Sequence, residues 1–111
     1  MNTNTSDLMF YRRQGDWLFK PSQAVPNGLH QIKSNVVGEG EGTGHLHQFT
    51  SGQVVLYANS KGETEAVEVV SDKATLTHPE HGPVEFEKGL YVSKKELEFS
   101  PFTEEMQRVK D

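Results

Sequence analysis

At 111 residues with a hydrophobic share of 33%, the chain can build one modest core, helped by six Phe, three Tyr and one Trp. A net charge of −5 argues against non-specific binding to a nucleic-acid backbone, and the absence of cysteine excludes disulfides, thiolate metal sites and cysteine nucleophiles. No apolar run approaches the ~20 residues that span a bilayer. The polar opening "MNTNTSD" lacks the basic and apolar regions of a signal peptide. The expectation is a cytoplasmic protein with neither nucleic acid nor membrane as partner.

Residues 1–6 offer nothing to bury and are expected to be disordered, with residues 7–111 forming a single β domain. "LMFYRR" and "WLFK" read as strands around a turn at Gln14-Gly15-Asp16. Pro21 and Pro26-Asn27-Gly28 predict loop, and "LHQIK" alternates as a half-buried strand does. A glycine-rich loop follows, with Gly38, Gly40, Gly42 and Gly44, and then a strand "HLHQF". "QVVLYA", "EAVEVV", "KATLT" and "PVEFE" read as further strands, the middle two separated at Ser71-Asp72. Lys88-Gly89 predicts a turn into "LYVSKKELEF". Along that last strand Leu90 and Val92 share one face, and Tyr91, Leu97 and Phe99 the other. Both faces are then buried, or a bulge near Lys94 switches them. "SPFTEEMQRV" carries a helix start, with Ser100 as cap, Pro101 next, and Phe102 and Met106 four apart. The pattern predicts an all-β barrel or sandwich of about eight short strands with a short C-terminal helix.

Four of the five histidines fall in two tight pairs. On a strand, His45 and His47 point to the same side, roughly 7 Å apart at Cα. In "THPEHGP", Pro79 at the second position of a four-residue turn brings His78 and His81 within about 7 Å. Neutral imidazole ligates zinc, iron or nickel, so His45, His47, His78 and His81 are candidate ligands of a divalent metal. Three histidines with an open position suit a catalytic metal. Glu41 and Glu80 are the candidate general bases, with Glu39 and Glu85 as further carboxylates, although Glu80 is expected to face away from its own turn. Histidines satisfied by neighbours or by solvent would leave the same pattern. His30 reads as a surface strand residue and Trp17 as core.

The glycine run lacks the following helix that would receive a phosphate, and its two glutamates repel one. It reads instead as a mobile lid or hairpin tip beside His45. No nucleophile-elbow motif surrounds Ser51.

Four stretches, "YRRQGDWLF", "EGTGHLHQF", "ATLTHPEHGPVEFEKGLYVSKKELEFSP" and "RVKD", resemble a family of small bacterial and phage-type proteins. Its motifs are RQGD, TGHxH and HxEHxP, followed by a strand carrying Gly89 and Tyr91. The resemblance implies a shared site at Gly44, His45, His47, His78, Glu80, His81 and Pro83 without naming a reaction. A looser likeness is to cupins, small β-barrels whose metal is held through an HxH piece matched here by His45 and His47; it implies histidines lining a barrel mouth.

Three readings compete. The four histidines hold a divalent metal for hydrolytic or oxygenase chemistry, with Glu41 or Glu80 assisting. Alternatively, the protein is a non-enzymatic module that binds a small-molecule ligand or a protein partner, with Arg12 and Arg13 meeting an acidic group. Thirdly, it is an accessory assembly protein whose homodimer interface buries Trp17, Phe19 or the Phe102–Met106 tail.

Overall fold

The computed structural model describes residues 11–39 and 45–95, and every described element is a strand. These are β1 (Arg12–Gln14), β2 (Trp17–Ser22), β3 (His30–Ile32), β4 (Val36–Glu39), β5 (Leu46–Ser51), β6 (Val54–Ala58), β7 (Thr64–Thr77) and β8 (Val84–Lys95). They form one antiparallel sheet in the order β1-β2-β8-β7-β5-β4, with β6 and then β3 branching from β7.

The branch has a simple cause. β7 is long enough to serve two partners on one edge: residues 64–69 pair with β6, and residues 75–77 pair with β5. Between these stretches the register against β8 shifts, from Val69↔Gly89 to Lys73↔Glu87. Three residues of β7 there oppose one of β8, which is a bulge, and bulges bend and twist a strand. The sheet therefore curls into a half-barrel, and its two ends approach. Trp17 of β2 lies so close to Gly38 of β4 that a Cβ there would sit 2.4 Å from the indole Cζ2. Only glycine admits this contact.

The concave side is the core. Trp17, Phe19, Phe49, Leu56, Val67, Val69, Leu76, Phe86 and Tyr91 are buried on it. Phe86 is the hub, with its ring edge-on to Phe19 at 4.9 Å, to Tyr91 at 5.0 Å and to Phe49 at 5.2 Å. Such edge-to-face pairs add to the burial of large aromatic area.

Several expectations are corrected. Ser71-Asp72 and Lys88-Gly89 do not separate strands; they are the bulge and its partner inside β7 and β8. The inward face of β8 changes there, from Phe86 to Tyr91 and Ser93, and Leu97 and Phe99 lie outside the described residues. Pro21 stays inside β2, opposite Tyr91. The first part of the glycine run is β4, paired with β5. Trp17 and Phe19 are buried within the chain, 5% and 0% exposed. The expected C-terminal helix, the disordered start and Glu41 lie outside the described residues. Among the described residues no helix is long and apolar enough to cross a membrane.

Candidate functional site

The curl that packs Trp17 on Gly38 also brings the β1–β2 turn against β5 and the β7–β8 loop. Both histidine pairs meet there. The rings of His47 and His78 are 4.3 Å apart, those of His78 and His81 4.6 Å, and those of His45 and His78 5.6 Å. Each pair is brought together by local geometry. His45 immediately precedes β5 and His47 lies within it, two residues apart, while Pro79 folds the 78–83 loop so that its two imidazoles are neighbours. The antiparallel pairing of β5 with β7, in the register Gln48↔Thr77, joins the two pairs by bringing His47 beside His78, and the curl adds the β1–β2 turn.

His47 is the most enclosed member, 0% exposed on the inward face of β5. Its Nδ1 lies 2.9 Å from Gln14 Oε1. The orientation of that amide is set by its other end, because Gln14 Nε2 donates to Leu76 O at 2.9 Å and Gly82 O at 3.0 Å. The Gln14 oxygen is therefore an acceptor, His47 Nδ1–H donates to it, and the bare lone pair of His47 sits on Nε2. That nitrogen has no hydrogen-bond partner, and it faces the Asp16 carboxylate, with Oδ1 3.7 Å away. Asp16 is buried too, its Oδ2 likewise lacks a partner, and Lys95 Nζ stands 4.0 Å from it. Burial lowers the His47 imidazole from its ordinary value to about 4; His78 reinforces the shift and Asp16 opposes it. His47 is neutral at pH 7.

His78 is also buried, and burial, then His81 and His45, lower its pKa. Its Nδ1 accepts the backbone N–H of Glu80 at 3.0 Å. His81 is exposed and lies over the β1–β2 turn. A Cβ on Gly15 would come within 2.7 Å of His81 Nε2 and 3.2 Å of His47 Cε1, and Gly15 has φ +59°. Glycine is required there both by backbone conformation and by the imidazoles above it. Glu80 does not face away from the cluster, since its Oε1 lies 3.5 Å from His45 Nδ1. His30 is exposed on β3, away from this group.

Gln14 and Asp16 were not among the residues expected in the site. Their signal was present in the RQGD motif, which pairs two polar side chains with the glycine of a turn. A turn, however, is where polar residues occur for local reasons, and nothing in spacing links it to histidines that begin 29 residues after Asp16. Among the described residues, no three histidine, aspartate or glutamate side chains already stand as a metal-holding group. His47 is held by Gln14 and Asp16 is buried, whereas His81 is exposed.

Residues 13–96 match a domain of unknown function, DUF8820. The chain belongs to that family. The matched span of DUF8820 begins at Arg13 and takes in Gln14, Gly15, Asp16 and all four clustered histidines, so the whole site lies within the family's domain. No curated protein and no solved structure matches the chain.

Proposed function

We propose that this DUF8820 domain binds a divalent transition metal at the seam of its half-barrel, with His47 Nε2 and the Asp16 carboxylate as anchoring ligands. One observation carries the reading: the bare Nε2 of buried His47 faces the buried Asp16 carboxylate, with Oδ1 3.7 Å away, and neither His47 Nε2 nor Asp16 Oδ2 has a hydrogen-bond partner. Two such acceptors repel unless something positive stands between them. The neutrality of His47 argues against a proton. Zinc bonds of about 2.0–2.2 Å to nitrogen and oxygen place two tetrahedral donors about 3.4 Å apart, so a small approach suffices. His81 swings in as the third ligand, and His45 with Glu80 forms the outer wall. Gln14 acts as the orienting partner that a metal-bound histidine commonly has on its other ring nitrogen. Zinc, iron(II) and nickel all accept such nitrogen and oxygen donors.

The test is metal content and calorimetric titration with zinc, iron(II) and nickel on tag-free protein, beside Asp16→Asn and His81→Ala. The expected result is about one equivalent in the wild type, with affinity reduced at least tenfold in each variant. No uptake after reconstitution would overturn the reading. The second reading, a metal-free binding module, draws on Lys95, whose ammonium lies near enough to neutralise Asp16 in part. That module would bind its ligand equally well in the presence of a chelator.

A further inference from the structure

We infer that His78 is not a fourth metal ligand but the hydrogen-bond donor of the site, and that it receives one oxygen of a small carboxylate whose other oxygen is held by the metal. This rests on the metal reading above.

The argument begins with the proton on His78. A backbone amide can only donate, so Nδ1, which accepts from Glu80 N–H at 3.0 Å, must be the bare nitrogen. A neutral imidazole carries one proton, and here it sits on Nε2. A protonated nitrogen has no lone pair for a metal. His47 has the opposite arrangement, with its proton on Nδ1 toward Gln14 and its lone pair on Nε2. The two central rings, 4.3 Å apart, are thus held in opposite tautomers by different neighbours. One offers a lone pair and the other offers an N–H.

The Nε2–H of His78 is itself unsatisfied. The residue is 8% exposed, its Nε2 has no partner, and the rings of His45, His47 and His81 surround it. A buried donor without an acceptor is costly, which points to an acceptor supplied by a ligand. Charge selects the ligand class. A divalent metal with Asp16, neutral imidazoles, and Lys95 and Glu80 offsetting each other leaves one positive charge. A monoanion neutralises it, whereas a dianion would overshoot beside the Glu80 carboxylate near His45. A carboxylate has two oxygens, one for the metal and one for an N–H.

The experiment uses the full chain loaded with cobalt(II), whose visible spectrum reports its ligands, and titrates it with acetate and with inorganic phosphate. Acetate is expected to change the spectrum saturably, and phosphate is expected to bind more weakly. In His78→Phe, which keeps a ring in place, cobalt affinity should stay within about threefold while acetate affinity falls at least about tenfold, the loss expected for a hydrogen bond to a charged group. His78→Asn is the second variant. Histidine nitrogen NMR of the metal-free wild type gives a readout that needs no variant: His78 protonated at Nε2 and His47 at Nδ1. A His78 proton on Nδ1, or a cobalt affinity that collapses about a hundredfold with His78→Phe, would make His78 a ligand and overturn the inference. Cobalt binding without any response to acetate would also overturn it and leave the metal reading intact. Failure to take up cobalt, zinc, iron or nickel would remove both.

Discussion

Gln14→Met isolates the tautomer lock. Methionine has a volume close to that of glutamine, so packing around the 2%-exposed side chain is nearly kept. Three hydrogen bonds are lost, at 2.9, 2.9 and 3.0 Å. The His47 Nδ1–H is then buried with no acceptor, which costs about 1–3 kcal/mol. The carbonyls of Leu76 and Gly82 lose a donor each, and a carbonyl has a second lone pair, so each loss adds about 0.5 kcal/mol. The sum is about 3 kcal/mol, or roughly 12 °C in Tm for a domain of this size. Thermal and urea unfolding measure the stability, and nitrogen NMR measures the His47 tautomer. The variant should lose stability by that amount and populate both tautomers of His47. A Tm shift below about 3 °C, with His47 still protonated only at Nδ1, would refute the argument that Gln14 orients this ring.

The pKa of His47 sets a pH dependence. Its folded value of about 4 lies below the ordinary 6.5, so the unfolded chain takes up the proton first as pH falls. Stability present above pH 6.5 should therefore decline through the window from 6.5 to 4, by about 3 kcal/mol at its foot. Urea midpoints across that range check it, and His47→Gln should flatten the decline. Gly38→Ala drives a Cβ into Trp17 and should cost about 1–3 kcal/mol by overpacking, seen as a red shift of tryptophan emission. Phe86→Ala removes the aromatic hub and should cost about 3–5 kcal/mol, whereas Val70→Thr, at an exposed position, should change stability by less than about 0.5 kcal/mol in the same denaturant assay.

The all-β character was legible in the sequence because alternation is local. Trp17 and Phe19, or His47 and Phe49, lie two apart and share a face whatever the rest of the chain does. The pairing of His78 with His81 was legible for the same reason, since Pro79 fixes a four-residue turn. The strand boundaries at Ser71-Asp72 and Lys88-Gly89 were misread because a bulge and a turn use the same residues. Which one forms depends on whether a partner strand continues past them, and here β7 and β8 continue together.

That same bulge explains what the sequence could not disclose. It lets β7 hold β6 with one half and β5 with the other, and the resulting curl places Gln14 and Asp16 against His47 and the β7–β8 loop. Residue types and short spacings determined that two pairs of imidazoles exist and how each pair is arranged. Tertiary structure alone decided that the pairs meet, that a buried carboxylate faces one of them, and which ring nitrogen of His47 carries the proton. A tautomer is set by the atoms that touch the ring: for His78 that atom is the Glu80 N–H in its own loop, whereas for His47 it is Gln14, 33 residues away and brought to the ring by the bend of the sheet.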